Sequence, residues 1–197
     1  SSSPYQGDAA GIALATSTDG GMTWAKTPSN PVLRGAPPGL DVTGFRDPYV
    51  APWPALDQLR GSADRNLYAL VSGGIRGIGP TTFLYVVQQD NPTDWDYIGP
   101  LVSLPERFSP SRTLEANFGM NWECTNFMTF DGGSDSRHFL ILGAEGDVER
   151  SHLAAIDPPN GAFSRTVRQQ LWMCGKLQKT NNRPEMIYRY GGFLDNG

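Results

Sequence analysis

Short hydrophobic runs recur along the whole chain, and residues that favour turns separate them. Apolar runs of this length between turn signals are typical of β-strands. The turn signals include Asp19-Gly20-Gly21, Asn91-Pro92, Asp131-Gly132-Gly133 and Asp157-Pro158-Pro159-Asn160-Gly161. The predicted strands are Gly11 to Ser17, Leu67 to Ser72, Thr82 to Gln88, Tyr97 to Val102, Trp122 to Phe130, Phe139 to Gly143 and Glu185 to Tyr190.

Helical periodicity is nearly absent. No stretch keeps a period of about 3.6 residues over several turns without an interrupting Gly or Pro. The segment from Ala55 to Arg65 has room for one helical turn, but Pro54 and Gly61 make a loop an equal alternative. The pattern therefore predicts an all-β protein.

The strands fall into repeated units. The first unit begins at Gly44 to Val50, continues through residues 67–74 and 81–89, and ends at Trp95 to Leu101. The second begins at Asn121 to Phe127, continues through residues 138–146 and His152 to Ile156, and ends at Phe163 to Trp172. Residues 11–17 and 23–33 match the last two strands of an earlier unit, and Gly191 to Asp195 matches the start of a later one.

Repeated four-stranded units are typical of a β-propeller, in which each unit forms one blade around a central channel. A β-sandwich is the competing architecture, but it would not predict acidic residues at matching places. Asp47 and Glu123 stand at the same place of the two aligned units, 76 residues apart. We therefore expect residues 1–197 to form part of a propeller, with about three blades.

Composition narrows the class of protein. Gly (23 residues) and Pro (16) make up about a fifth of the 197 positions, against roughly 12% in average proteins. With 39% hydrophobic residues the chain still has enough apolar surface for a core. The net charge of −4 gives no basic face for nucleic acid, and no apolar run approaches the roughly 18 residues of a membrane span.

The recurring acids are the strongest chemical feature of the sequence. First strands of propeller blades line the channel, so Asp47, Glu123 and Asp195 are expected to converge at its mouth. Converging carboxylates raise one another's pKa, and glycoside hydrolysis requires a protonated acid beside ionised partners. The apolar run around Glu123 would raise its pKa and suits an acid/base, whereas Arg46 would keep Asp47 ionised. Turn acids at strand ends are the alternative explanation.

Further motifs have smaller roles. Ser17-x-Asp19-x-Gly21-x-Thr23-Trp24 matches an Asp box, in which the acid caps a hairpin and the Trp packs beneath it. Glu145 closes a hydrophobic strand and is either a turn acid or an acceptor for sugar hydroxyls. The glycines from Gly73 to Gly79 suggest a tight loop rather than a phosphate site, since no helix follows. His138 and His152 lack partners at metal-ligand spacing, and no cofactor is expected.

Two of these motifs together resemble glycoside hydrolase family 32, the invertases, inulinases and fructosyltransferases. Arg46-Asp47-Pro48 and Trp122-Glu123-Cys124 resemble its RDP and EC motifs in order and spacing, and Asn30 to Leu33 also fits. Residues 42–57, 72–85 and 109–112 are similar to the fungal β-fructofuranosidase and fructosyltransferase branch.

The resemblance implies a five-bladed propeller and a retaining enzyme that acts on β-fructofuranosides such as sucrose or fructo-oligosaccharides. It implies that Glu123 is the general acid/base and Asp47 the transition-state stabiliser. Arg46 would support Asp47, and Glu145 and Asp195 would contact the sugar.

The family's nucleophile, an Asp in a WMNDPN-like motif, and its trailing β-sandwich domain have no match in this sequence. We therefore expect an inactive internal piece that other propeller segments of the same protein complete. The cysteines Cys124 and Cys174 form no disulfide framework. Family members are mostly secreted, yet no N-glycosylation sequon is present, so the compartment stays open.

Two rival functions remain at this stage. One is a non-catalytic sugar-binding propeller, which an upstream Asp-Pro motif would exclude. The other is a sialidase-like glycosidase, which the Asp box suggests and which would require an arginine triad and a tyrosine nucleophile.

Overall fold

The computed structural model describes residues 10–110, 117–130, 136–146 and 169–195. It begins with a short antiparallel pair, β1 (Ala15–Thr16) and β2 (Ala25–Lys26). An isolated bridge between Ile12 and Leu33 extends this pair. The side chain of Asn30 links the segments on either side of this hairpin. The Asn30 amide donates to the Leu14 carbonyl at 2.7 Å and accepts from the Leu14 N–H at 2.8 Å. These residues match the predicted end of an earlier blade.

A first four-stranded sheet follows. Its strands are β3 (Val42–Pro52), β4 (Leu67–Ile75), β5 (Gly79–Val87) and β6 (Trp95–Pro100), antiparallel and in sequence order. Every residue of β5 and nearly every residue of β4 is buried. The two central strands are buried along their length because other residues cover both faces of this sheet.

A second four-stranded sheet has the same meander order. It consists of β7 (Asn121–Phe130), β8 (Arg137–Glu145), β9 (Gln169–Thr180) and β10 (Arg183–Asp195). Buried and more exposed residues alternate strictly along β8. This period of two indicates that only one face of the second sheet is covered by the residues that the structure describes.

Two hydrophobic clusters hold these layers together. One lies between the sheets and joins Tyr68, Leu70 and Leu84 of the first to Leu140 and Leu171 of the second. The other joins the opposite face of the first sheet, with Phe45, Val71 and Phe83, to Ile12 and Leu33 of the N-terminal pair. The fold is therefore part of a β-propeller, and the all-β prediction is confirmed apart from one helix.

That helix, α1 (Pro54–Arg60), lies in the segment where a single turn or a loop was expected. Pro54 suits a helix start because its missing N–H would have no helical partner. Gly61 ends the helix in the left-handed conformation, with φ of 73°. Among the described residues, no helix is long and apolar enough to cross a membrane.

The tightest packing between the sheets involves Trp53, which directly follows β3. Its indole stacks on Phe127 of β7, with ring centres 4.0 Å apart and planes 11° from parallel. Its Nε1 donates to Thr129 Oγ1 at 3.1 Å, so the buried N–H is paired as well.

The prediction that a new blade opens at Gly191 is wrong. Gly191 and Gly192 lie inside β10 and pair with Met173 and Trp172 of β9. The glycines are required by close packing rather than by a turn, since a Cβ on Gly191 would lie 2.6 Å from the carbonyl oxygen of Trp172.

Two smaller predictions also change. The last strand of the second unit, expected at Phe163 to Trp172, is β10 (Arg183–Asp195), and the third strand is β9 (Gln169–Thr180). The third strand expected around His152 to Ile156 lies outside the described residues. The glycine-rich loop is shorter than expected, because Gly73 to Ile75 belong to β4 and only residues 76–78 connect it to β5.

Candidate active site

The candidate site is built on matching irregularities in β3 and β7, the first strands of the two sheets. The pairing of β3 with β4 shifts between Arg46 and Tyr49, and that of β7 with β8 shifts between Glu123 and Asn126. Each shift contains a non-glycine residue with positive φ, which is 56° at Asp47 and 48° at Cys124. Bulges of this kind redirect side chains and are common beside active sites.

This register corrects the sequence alignment by one residue. Arg46, not Asp47, is the structural equivalent of Glu123, since each is the last paired residue before its bulge. Asp47 is accordingly the equivalent of Cys124. Asp47 and Glu123 are therefore offset by one position in the two sheets. The sequence alignment paired them because both are acidic, whereas the structural repeat lies in the backbone geometry.

The two bulges are bonded to each other. The backbone N–H of Cys124 donates to Asp47 Oδ2 at 3.2 Å. The next N–H, that of Thr125, donates to the buried Ser72 Oγ at 2.8 Å. Through these bonds β7 is held beside the first sheet, and the carboxylate of Asp47 lies next to the residue that follows Glu123.

Three carboxylates surround one guanidinium group. Arg46 Nη2 donates to Glu123 Oε1 at 2.6 Å and also to Glu145 Oε2. On the other side, Arg46 Nε lies 3.7 Å from Asp47 Oδ2. We call Arg46, Asp47, Glu123 and Glu145 the carboxylate cluster. Four of the five predicted site residues are thus brought together.

Exposure differs within the carboxylate cluster. The side chains of Arg46 and Asp47 are 36% and 35% exposed, whereas those of Glu123 and Glu145 are 16% and 15% exposed. The site is therefore open to a ligand on the Asp47 side and shielded from solvent on the side of the two glutamates.

Burial and charge shift the pKa of two members of the carboxylate cluster. Burial raises the pKa of Glu145, and its hydrogen bond to Glu123 raises it further, against the opposing charge of Arg46. Burial acts to lower the pKa of Arg46, but bonding to Glu123 and the charge of Glu145 outweigh it, so the net shift is upward. Burial and the neighbouring Glu123 thus outweigh the cation at Glu145, so this group keeps its proton to a higher pH than an ordinary glutamate.

A polar residue that no sequence motif singled out lies beneath the carboxylate cluster. Asn121, which is 6% exposed, donates from Nδ2 to Glu145 Oε2 at 3.0 Å and accepts at Oδ1 from the hydroxyl of Thr43 at 2.9 Å. The signal was available: Asn121 stands two residues before Glu123 in the same strand, and this spacing directs both side chains to the same face.

Asp195 is separated from the carboxylate cluster. The pairing runs from Glu123 to Gly143, then to Gln170, then to Asp195, each on the next strand. Three strand spacings of about 4.8 Å put its backbone roughly 14 Å from that of Glu123. Its strand, β10, lies at the edge of the second sheet opposite β7, contrary to the expected position at the channel. The side chain of Asp195 lies outside the described residues.

The Asp box forms a capped turn away from the carboxylate cluster. Asp19 accepts from the Thr23 N–H at 2.9 Å and from the Thr23 hydroxyl at 2.6 Å, and the Ser17 hydroxyl donates to it at 2.8 Å. These bonds, Thr23's first, lower the pKa of Asp19 to about 2. Trp24 lies against this turn, where its Nε1 donates to the Gly21 carbonyl at 3.0 Å, and its side chain stays 65% exposed.

Comparisons with known proteins identify solved structures with a similar fold. The structure of an Aspergillus kawachii β-fructofuranosidase complexed with glycerol matches with a TM-score of 0.81 and 29% identity, over 98% of this chain and 31% of that one. A wild-type fructosyltransferase from A. japonicus matches with a TM-score of 0.70 and 24% identity, over 93% of this chain and 33% of that one.

The chain thus spans about a third of the length of these solved structures. No curated protein matches it in sequence. The model of the glycosyl hydrolases family 32 N-terminal domain matches residues 7–197. The chain therefore belongs to glycosyl hydrolase family 32.

Proposed function

We propose that this chain is part of the catalytic domain of a retaining glycosidase or transglycosylase that acts on β-fructofuranosides such as sucrose. The observation that carries the proposal is the sharing of one guanidinium by Glu123 and Glu145, with Asp47 on its other side. Membership of family 32 and the likeness to a β-fructofuranosidase support the substrate class.

Glu123 is proposed as the general acid/base. It donates a proton to the glycosidic oxygen as the bond to the fructosyl carbon breaks, so the other sugar leaves as an alcohol. A carboxylate nucleophile forms the covalent fructosyl-enzyme. Glu123 then accepts a proton from water or from a sugar hydroxyl, whose oxygen displaces the nucleophile. We assign that nucleophile to a segment of the complete protein outside this chain.

The other members of the carboxylate cluster bind and orient the substrate. Asp47, on the exposed side, accepts hydrogen bonds from fructosyl hydroxyls and stabilises the positive charge of the oxocarbenium-like transition state. Glu145 accepts further sugar hydroxyls. Arg46 holds the acids together and fixes their orientation, because a guanidinium presents its donors in a rigid plane.

Further segments of the same protein are the proposed partners of the second sheet. An aromatic row crosses its uncovered face, with Phe130 next to Phe139 (5.4 Å), Phe139 next to Trp172 (6.0 Å) and Trp172 next to Tyr190 (5.9 Å). Phe130 and Tyr190 are 60% and 42% exposed.

Strand pairing shows which residues of the first sheet are structurally equivalent to this aromatic row. Phe139 and Trp172 occupy the places that Tyr68 and Leu84 have in the first sheet, where the second sheet covers them. Another blade would cover the aromatic row in the same way. Hydroxyl-radical footprinting of the full-length protein should leave Phe130 as protected as Trp53, with Trp24 modified as an exposed control. Strong modification of Phe130 would contradict this partner.

The full-length protein and sucrose test the function itself. We expect glucose release, and proton NMR at early times should detect β-fructofuranose, or a β-fructosylated acceptor, as the first fructosyl product. Initial α-fructose would exclude a retaining mechanism. Sucrose binding without turnover would instead indicate the rival, a non-catalytic sugar-binding propeller.

A further inference from the structure

Asn121 is a buried polar residue at the seam between the two sheets. It begins β7, and its side chain contacts β3 of the first sheet and the end of β8. Its amide makes three bonds: it donates to Glu145 Oε2 at 3.0 Å and to the Trp122 carbonyl at 3.2 Å, and it accepts from Thr43 Oγ1 at 2.9 Å. All of its hydrogen-bonding atoms are therefore engaged.

The chemistry of its neighbours determines the orientation of this amide. Glu145 Oε2 accepts a hydrogen bond from Arg46 Nη2, so this oxygen is an acceptor and the NH₂ end of Asn121 must face it. The carbonyl end then faces Thr43, whose hydroxyl donates. Reversing the amide would place two oxygens in contact at Glu145, so the orientation is unique.

The first sheet leaves a space for this amide. A Cβ on Gly44 would lie 2.5 Å from Asn121 Oδ1, closer than side-chain carbons approach such atoms. The hydroxyl of Thr43, the preceding residue, also lies 3.2 Å from the Met120 carbonyl, the residue before Asn121. Thr43 and Gly44 therefore form a fitted socket for Asn121.

We propose that Asn121 is a positioning residue that holds the Glu145 carboxylate against Arg46, and that Thr43 and Gly44 fix Asn121 in place for this task. The role of that carboxylate in binding sugar rests on the proposed function above. The positioning of the Glu145 carboxylate by Asn121 does not depend on the proposed function, and it can be measured separately.

Charges around Glu145 give the proposal a measurable consequence. Among the described residues, the groups that face its carboxylate include Arg46 from β3, Glu123 from β7 and the Asn121 amide. The amide lowers the pKa of Glu145, whereas burial and Glu123 raise it. Removing the amide donor leaves the raising influences unopposed except by Arg46, so the pKa of Glu145 must increase.

The experiment uses the full-length protein with Asn121→Ala, Asn121→Asp, Thr43→Val and Gly44→Ala, and with Asn91→Ala in an exposed turn as the matched control. Carbon-13 NMR titration of the Glu145 carboxyl should give a higher pKa in Asn121→Ala and Gly44→Ala than in the unmodified protein and the control. An unchanged pKa in both variants overturns the proposal.

Kinetics separate positioning from a purely structural role. We expect Asn121→Ala to raise the KM for sucrose about ten- to a hundredfold, the range for one hydrogen bond to a charged group, with a smaller change in kcat. Thr43→Val should have a weaker effect in the same direction. Lower thermal stability with unchanged KM overturns the proposal.

Asn121→Asp gives the sharpest result. At low pH the new carboxyl is protonated and can still donate to Glu145, so KM should approach that of the unmodified protein. At higher pH two carboxylates face each other and KM should rise steeply. A KM independent of pH contradicts the proposal. If the unmodified protein does not turn over sucrose, the proposed function fails, and the NMR titration alone decides the role of Asn121.

Discussion

Arg46 of β3 and Glu123 of β7 occupy the same structural position in two neighbouring sheets, and they form an ion pair with Nη2 and Oε1 2.6 Å apart. The repeat therefore places a cation and an acid at equivalent points of adjacent strands. Because each residue directly precedes a bulge, both side chains are directed into the space between the sheets. The repeated backbone thus creates the site, and the differing residue types supply its chemistry.

Replacing Arg46 by Lys is expected to impair the site strongly. The guanidinium of Arg46 contacts both glutamates through Nη2 while its Nε faces Asp47, and a compact ammonium group lacks this fixed spread of donors. In the full-length protein we expect kcat/KM for sucrose to fall at least about a hundredfold, since a misplaced catalytic group costs this much. Steady-state kinetics measure the change.

The Arg46→Met variant extends this test to charge. The Arg46 charge lowers the pKa of Glu145, so its removal should move the acidic limb of the pH–kcat/KM profile to higher pH. The matched control is Arg76→Met, which pairs with Asp41 at an exposed place away from the carboxylate cluster. Equal pH profiles for Arg46→Met and the control would contradict the influence of the Arg46 charge on the pKa of Glu145.

The Cys124 thiol reports on the charge of Asp47. Burial raises the pKa of Cys124, and the charge of Asp47 and its hydrogen bond raise it further. Asp47→Asn should therefore lower this pKa and speed alkylation by iodoacetamide near pH 8, while Cys174 is buried and should react slowly. If Asp47→Asn leaves the rate of Cys124 alkylation unchanged, the charge of Asp47 does not act on the Cys124 thiol and the prediction is wrong.

Trp53 should contribute much of the packing free energy between the sheets. It is fully buried, stacks on Phe127 and donates to Thr129. Trp53→Ala is expected to reduce the free energy of unfolding by about 3–5 kcal/mol, the range for large aromatic truncations in cores. Urea denaturation measures it, with the exposed Trp24→Ala as control. Similar losses for both variants would refute the packing role.

The Asp box should make stability depend on pH at the acid end. The pKa of Asp19 is lowered from its ordinary 3.8 to about 2. Its stabilising effect is therefore complete above the unfolded value and is lost as pH falls towards 2. The melting temperature of Asp19→Ala should be lower than that of the unmodified protein at pH 5, and the gap should narrow as pH falls below 4 and be smallest near pH 2. A constant gap would contradict the capping role.

Local pattern predicted most of the strands and their meander order. Runs such as 67–75 and 79–87 are mostly apolar, almost entirely buried and lie between turn residues, so propensity and burial favour the same structure. The prediction failed at Gly191, because a glycine that admits a neighbouring strand looks in sequence like a glycine that makes a turn.

The candidate site was predicted as a group of acids but not as a geometry. Arg46, Asp47, Glu123 and Glu145 were each singled out from motifs. Their arrangement depends on the two bulges, which shift the equivalence by one residue and which no local pattern specifies. Asn121 was missed because its function depends on Thr43, 78 positions away in sequence.

Replacement of Glu123 by Gln in the full-length protein is the most direct test of the proposed chemistry. Glutamine keeps the size of the side chain but cannot transfer a proton, so sucrose turnover should fall by about three orders of magnitude or more with an unchanged melting temperature. Asp96→Asn, at an exposed position of β6, removes the same charge elsewhere and should leave turnover unchanged. Near-normal turnover in Glu123→Gln would contradict the assignment of Glu123 as general acid/base.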